Sequence, residues 1–335
     1  MADITEARPS NGRVPTGTAV MPDGNVSNGD APAGAPHPHL TPSRVSPRPA
    51  LEISKRPSPL QRLRHLWQYR ELLGNLVRKE LKVKYKNSVL GFVWSLLNPL
   101  MYLVVFSFVF GAVLHVKVPY YGIFFLSGLL AWNFFAAGVM GGTSAIVMNA
   151  QLVTKVWFPR ESLVLASVGA ALVHFFLQSL VLFGALAVFT RAPDLTFLPT
   201  LLLGMLLLLV LTSALAIALS AINVYLRDTQ HLMDVVLLAW FWFSAIAYPY
   251  AGVVTTLRIH FHGAAEWIAT ANPVLLIVIS FQKVIYNPAK DVALIDHGQL
   301  WYLEHLAIWL AISIGMLYGA LRIFSRLEDN FAEEI

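Results

Sequence analysis

The chain has 335 residues, of which 56% are hydrophobic and 13% are charged, and its mean hydropathy is +0.61. Soluble domains average about 25% charged residues, so this composition excludes an ordinary soluble enzyme. The sequence has no cysteine, which excludes disulfides, thiolate catalysis and Cys-ligated zinc or iron–sulfur sites. A net charge of +5 is compatible with nucleic-acid binding, but the long apolar runs point to a membrane, and we expect no nucleic-acid partner.

The first segment, residues 1–58, is rich in Pro, Gly, Ser, Asn and Ala and poor in large apolar side chains. Such a segment cannot bury enough surface to offset the entropy that it would lose on ordering. We therefore predict a disordered cytoplasmic tail over 1–58.

Residues 59–88 combine basic and apolar side chains. The apolar residues from Leu66 to Leu81 recur at steps of three and four, which is the spacing of one helix face. A basic amphipathic helix beside an apolar run lies in the headgroup plane, where anionic lipid attracts its charges. We predict such an interface helix, acting either as an anchor alone or also as a platform for a cytoplasmic partner or a lipid phosphate. Its candidate contact residues are Arg70, Arg78, Lys79, Lys82 and Lys84.

The apolar runs that follow decide the fold class. A helix needs about 20 apolar residues to cross a bilayer core of about 30 Å. We therefore predict an all-α membrane protein with six transmembrane helices over 89–324 and a cytoplasmic C-terminus at 325–335. Five runs meet or nearly meet this length: Val89–Leu114, Tyr121–Met148, Ser162–Phe189, Leu198–Val224 and His305–Phe324. The sixth run, Met233–Tyr250, is shorter and ends beside Pro249.

A re-entrant helical hairpin is predicted between the last two spans, over about 251–287. Its two apolar stretches, Ala264–Ala271 and Val274–Phe281, are each too short to cross a bilayer and join at Asn272 and Pro273. Backbone at membrane depth must be satisfied internally or line a cavity, and a hairpin dipping in from the outer face meets that demand. We interpret Asn272 and Pro273 as part of an outer gate. The alternative is an external loop with two surface helices.

The distribution of basic residues sets the orientation. With six spans and the N-terminus in the cytoplasm, 19 of the 24 Lys and Arg residues lie inside. Cytoplasmic loops are enriched in Lys and Arg, so both termini are expected in the cytoplasm. Few ionisable groups lie within the runs, and His174 is expected to be a buried, hydrogen-bonded neutral histidine. That shortage disfavours a proton- or sodium-coupled transporter.

Four stretches carry a resemblance to a known family: Arg70–Leu73 with Val77–Pro99, Leu152–Glu161, Asn223–Asp228, and Asn272 with Pro273. Over about 62–330 the chain resembles the permease subunits of polysaccharide-exporting ABC transporters. That resemblance implies export of a lipid-linked O-antigen, teichoic acid or cell-wall galactan across the bacterial inner (plasma) membrane. It also implies a transport subunit rather than an enzyme, working as a homodimer with two copies of a cytoplasmic ATPase. The chain has no phosphate-binding loop motif, so we expect no cofactor in this chain, with ATP and Mg bound by the partner.

The resemblance also assigns roles to particular residues. The two short cytoplasmic loops are the segments that an ATPase can reach, and the family motifs there imply coupling contacts. The candidate coupling residues are Lys155, Phe158, Pro159, Arg160, Glu161, Arg227 and Asp228. A tight turn at the headgroups and a local ion pair at 227–228 are the simpler alternatives. Aromatic rings stack on the apolar faces of sugars, and the family uses aromatic belts along its channel. The candidate channel-lining aromatics are Trp132, Phe135, Trp240, Phe243 and Tyr248.

Other functions remain open at this point. A drug or small-molecule exporter permease is the nearest alternative, because related permeases have that role. A secondary transporter or channel working without an ATPase is another. No clustered carboxylates or Ser–His–Asp arrangement suggests catalysis in the sequence.

Overall fold

The computed structural model describes residues 68–86, 91, 93–116, 118–156, 158–286 and 297–335. Within those ranges the chain is helical, with short 3₁₀ and π segments and no strand. The predicted tail over 1–58 lies outside the described residues. Described residues thus agree with the all-α class.

Within the described ranges, five helices are long and apolar enough to cross a membrane, as expected of a multi-pass membrane protein. The second apolar run was predicted to the residue, whereas the last helix begins well before the predicted His305. The five are α2 (Val93–Phe106, continued by a π segment to Val113), α3 (Tyr121–Met148), α5 (Glu161–Val188), α6 (Leu198–Tyr225, preceded by a 3₁₀ turn from Leu195) and α11 (Gln299–Leu327, continued by a 3₁₀ turn to Asn330).

The sixth predicted span, Met233–Tyr250, is not one continuous helix. Helix α7 (Thr229–Phe243) has 15 residues, which at 1.5 Å per residue is about 22 Å and shorter than a bilayer core. Ala245 then takes a left-handed φ of 52°. Pro249 disfavours helix at the residue before it, and a new helix, α8 (Tyr250–Phe261), begins directly after it.

Close packing of α3 against α5 and α6 forms the centre of the molecule. A Cβ built on Gly138 would lie 2.5 Å from Thr212 Cγ2, and one built on Gly142 would lie 2.5 Å from Ala216 Cβ. Small residues in membrane helices allow such approach. The Asn223 amide of α6 also donates to the Thr143 carbonyl of α3 at 3.1 Å.

The N-terminal amphipathic segment forms helix α1 (Arg70–Tyr85), which packs against α5. Leu76 is buried and Val77 lies over Gly169 of α5, where a Cβ would meet Val77 Cγ2 at 2.8 Å. The basic side chains of α1 are exposed. Apolar side chains of α1, Leu76 and Val77 among them, therefore face the protein, while its basic side chains stay exposed.

Three short helices and a C-terminal turn complete the described chain. Helix α9 (Ala265–Thr270) and helix α10 (Pro273–Phe281, continued by a π segment to Tyr286) meet at Asn272. Every residue of Pro273–Phe281 is buried. At the opposite end of the molecule, α4 (Ala150–Lys155) leads into α5, and α12 (Phe331–Glu334) packs on α4 and α6.

Candidate functional site

An aromatic groove of about 540 Å³ lies between α2, α3 and α7. Rings of Phe106 and Phe125 stack with centroids 3.9 Å apart, and Trp132 meets Phe241 edge to face at 5.6 Å. Flat apolar walls of this kind can stack on the ring faces of sugars. Its aromatic walls come from Tyr102, Phe106, Phe125, Trp132 and Phe241, and Asp234 also lines it.

Of the five aromatics predicted to line a channel, Trp132 alone lines this groove. Phe135 is 0% exposed and packs behind the groove, 5.2 Å from the Trp240 ring, so it does not line this groove. The Trp240 Nε1–H group donates a hydrogen bond to Asn272, and the Tyr248 hydroxyl donates one to the Trp242 carbonyl. Phe243, the last residue of α7, is 72% exposed.

The groove residues Tyr102, Phe106 and Phe125 were not predicted from the sequence. Tyr102 and Phe106 are four apart and therefore share one face of α2. Phe125 and Trp132, seven apart, share a face of α3 in the same way. That spacing was available in the sequence, but which helices meet at these faces was not.

A polar chamber of about 460 Å³ adjoins the groove and is walled by α1, α2, α3 and α5. The Tyr85 hydroxyl lies 2.5 Å from Ser95 Oγ and 3.0 Å from His174 Nδ1. Across the chamber, the Asn133 amide donates to Gln178 Oε1 at 3.3 Å. His174 is buried and hydrogen-bonded as expected, although its Nε2 has no partner among the described residues.

The chamber and the groove share a wall formed by Tyr102, Asn133, Ala136 and Ala137. Lys84 of α1 lines the chamber, and partial burial lowers the pKa of its ammonium group from the usual 10.5. A hydrogen-bonding region and an aromatic region therefore lie side by side along one face of α3.

Asn272 joins α10 to the end of α7. Its Oδ1 caps α10 by accepting from the Val274 and Leu275 N–H groups at 3.0 and 3.3 Å, and it also accepts from Trp240 Nε1 at 2.9 Å. Its Nδ2 donates to the Phe243 carbonyl at 3.0 Å. Asn followed by Pro is a strong helix start, which explains why α10 begins here.

The predicted coupling residues lie at the end of the molecule where α5 begins and α6 ends. Lys155, Arg227 and Asp228 are exposed, and in the described chain no ion pair joins Arg227 to Asp228. Phe158 and Pro159 are half-buried, and Glu161 is 2% exposed as the first residue of α5.

Arg160 is held by the C-terminal segment, a contact that the sequence did not reveal. Its guanidinium donates to the Glu328 carbonyl and lies 5.8 Å from the Phe331 ring centroid. The Tyr225 hydroxyl donates to the Leu327 carbonyl at 2.8 Å, and Phe331 is fully buried. The segment 327–331 thus bridges both predicted coupling loops.

Comparison with known proteins gives one family and several relatives. Residues 71–286 match the family described as ABC-2 type transporter. The O-antigen export system permease protein RfbA of Myxococcus xanthus is 32% identical over 275 residues, covering 82% of this chain and 98% of that protein. The protein of the same name from Klebsiella pneumoniae is 28% identical over 266 residues, covering 78% of this chain and 94% of that protein.

Proposed function

The chain belongs to the ABC-2 type transporter family, and from that premise we propose that it is the membrane subunit of an ATP-driven polysaccharide exporter. Its substrate is a lipid-linked glycan of the O-antigen, teichoic acid or cell-wall galactan class. The observation that carries this proposal is the similarity to O-antigen export permeases along almost their entire length. Because the similarity covers nearly the whole length of these relatives, it favours a common transport role rather than the sharing of a single segment.

The aromatic groove supplies a surface for a glycan. Stacking on Trp132 and Phe241 is less directional than hydrogen bonding, so successive sugar units can occupy the same rings in turn. The groove is open on one side, and a second copy of the chain facing it would close a path between two subunits. This is the role we give to the homodimer.

The energy for transport comes from the partner, two copies of a cytoplasmic ATPase that bind ATP and Mg. We place its contact surface on the exposed side of 155–161 and on Arg227 and Asp228. The segment 327–331 accepts hydrogen bonds from Arg160 of one loop and from Tyr225 next to the other. A displacement of one loop is therefore transmitted to the other.

The membrane arrangement follows from the same proposal. The protein lies in the bacterial inner membrane with both termini in the cytoplasm, a cytoplasmic tail over 1–58 and an interface helix over 59–88. Helix α7 continued through 244–250 supplies the sixth span, and α9 with α10 forms the re-entrant hairpin. Buried α10, tied by Asn272 to α7 and by the Tyr286 hydroxyl to the Pro119 carbonyl, supports a hairpin packed inside the protein.

The test is transport by the purified complex of this chain and its ATPase in proteoliposomes. ATP-dependent movement of a lipid-linked glycan across the membrane is the expected result, and a hydrolysis-deficient ATPase is the control. Transport that needs no ATPase would favour a channel or secondary transporter. Movement of small amphiphiles without any glycan would favour a small-molecule exporter.

A further inference from the structure

Lys84 differs from the other basic residues of α1. Lys79 donates to Asn149 Oδ1 at 2.5 Å, whereas Lys84 lines the polar chamber. Among the residues that the structure describes, the Lys84 ammonium has no hydrogen-bond or ion-pair partner. The described lining of the chamber also contains no carboxylate. Among the described residues, the chamber therefore offers the Lys84 ammonium no counterion.

Neutral side-chain amides also line the chamber. Side-chain amides of Asn98, Asn133 and Gln178 line it, and each amide nitrogen has two N–H groups to donate. Asn133 and Gln178 bond weakly to each other, at 3.3 Å, which leaves further N–H groups of both amides available. The described lining therefore offers an ammonium group and amide N–H donors, which are the groups that bind an anion.

Two polar residues that line the chamber lie deep within transmembrane helices, whereas Lys84 reaches the chamber from the end of α1. Asn133 and His174 are each close to the middle of a 28-residue helix, roughly 20 Å from either end. Polar and ionisable groups at such depth are costly and usually mark a substrate or ion pathway. The volume of about 460 Å³ falls in the range of roughly 300–1,000 Å³ for small-molecule sites.

We propose that the polar chamber binds the phosphate group of a membrane lipid, with the Lys84 ammonium as its charged contact and the Asn98, Asn133 and Gln178 amides as neutral donors. If the exporter function holds, that lipid is the polyprenyl carrier of the glycan, and this part of the inference rests on the proposed function. Asn133 forms the wall between chamber and groove. A phosphate held in the chamber therefore places the sugar attached to it beside the aromatic rings.

The experiment measures lipid binding to the full chain in complex with its ATPase, without nucleotide, by native mass spectrometry. The probes are a polyprenyl diphosphate, the matched neutral polyprenol and phosphatidylglycerol. Lys84→Gln removes the charge, Lys84→Arg keeps it, and Lys86→Gln removes a neighbouring exposed charge that does not line the chamber. Lys84 is exposed, so its variants are expected to fold, and co-purification with the ATPase checks this.

We expect Lys84→Gln to weaken diphosphate binding about tenfold, as for loss of one charge-assisted hydrogen bond. Lys84→Arg and Lys86→Gln should bind as the parent chain does, and polyprenol should bind all variants equally. Equal affinity of the parent chain for polyprenol and diphosphate overturns the proposal. So does an equal loss in Lys86→Gln and Lys84→Gln, because it would reduce the effect to general surface charge.

The probes also identify the source of the phosphate. A Lys84-dependent preference for the polyprenyl diphosphate assigns the chamber to the carrier lipid, whereas equal Lys84-dependent binding of phosphatidylglycerol assigns it to a membrane phospholipid. Both results support a phosphate site. Binding is measured without ATP or transport, so a failed site leaves the export function standing, and failed transport leaves the site standing.

Discussion

Arg160 donates a hydrogen bond to the backbone carbonyl of Glu328, a residue 168 positions further along the chain. The contact joins the loop before α5 to the segment after α11, and the Phe331 ring lies under the same guanidinium. Arg160 thus has a structural partner inside its own chain. Any role in coupling includes holding that partner in place.

We expect Arg160→Ala to reduce transport several-fold and to uncouple ATP hydrolysis from it, without preventing membrane insertion. The variant removes the hydrogen bond between the loop before α5 and the C-terminal segment. The measurement is the ratio of glycan transported to ATP hydrolysed in proteoliposomes. Arg326→Ala, an exposed arginine on the same end of the molecule, is the matched control and should leave the ratio unchanged.

Removing 328–335 tests the same contact from the other side. Because Arg160 and Glu328 act through one hydrogen bond, the truncation combined with Arg160→Ala should cost little more than the truncation alone. Fully additive losses in the transport-to-hydrolysis ratio would separate Arg160 from the C-terminal segment and contradict the shared role.

Trp132→Ala should slow glycan transport several-fold while basal ATP hydrolysis continues. The indole lines the aromatic groove and meets Phe241 edge to face, so its loss removes a stacking surface. Trp132→Phe keeps a ring and should retain most of the rate. Equal transport by the Ala and Phe variants would show that stacking at this position does not assist the glycan.

Asn272→Ala should lower the melting temperature of the purified protein, because it removes a helix cap worth about 1 kcal/mol and leaves the Trp240 N–H without its acceptor. Asn272→Asp keeps the accepting oxygen and is expected to lie between Ala and the parent chain. Thermal unfolding followed by tryptophan fluorescence checks the order. An Asp variant as unstable as Ala would assign the stability to the Nδ2 bond with Phe243 instead.

Gly142→Ala should destabilise the protein by about 1–3 kcal/mol through overpacking against Ala216. Ala216→Gly in the same chain should restore part of the loss, since it removes the nearest atom. Gly141→Ala is the matched control, because a Cβ there meets Ser167 Cβ at an ordinary 3.4 Å. Similar melting temperatures for the two Gly→Ala variants would argue against close contact of α3 with α6.

Cysteine labelling tests the hairpin, because the chain has no cysteine of its own. Ala271 is exposed at the bend between α9 and α10, whereas Leu275 is 1% exposed. We expect a membrane-impermeant thiol reagent to label Ala271→Cys to an extent that depends on the nucleotide state of the ATPase. Leu275→Cys should stay unlabelled throughout. Complete labelling of Ala271→Cys in every state would favour an external loop.

Local patterns in the sequence predicted most of the helices. The run Tyr121–Met148 is uninterrupted and apolar, so its helix was predicted to the residue, and Asn272 with Pro273 marked the start of α10. The end of α7 at Phe243 was missed because apolar residues continue to Tyr250. There the left-handed Ala245 and the effect of Pro249 on the residue before it outweigh hydropathy.

The candidate site was harder to predict, because it depends on which helix faces meet. Trp132 and Phe135 are aromatic residues only three positions apart on α3, yet Trp132 lines the groove and Phe135 is buried behind it. In the sequence Lys84 is one more charge on a basic helix, whereas in the structure it lines the chamber where Tyr85 meets Ser95 and His174. These juxtapositions join residues about 10 and 90 positions apart, and no short-range pattern encodes them.

The hydrogen bonds that Tyr225 and Arg160 donate to the C-terminal segment end on main-chain carbonyls, those of Leu327 and Glu328. A carbonyl acceptor is present whatever residue occupies the position. Mutational drift at 327 and 328 therefore leaves both bonds in place, while drift at Arg160 or Tyr225 removes one. Among descendants of a common ancestor, the donors should persist and the acceptors should vary, so a variable C-terminal segment would still be a working part of the transporter.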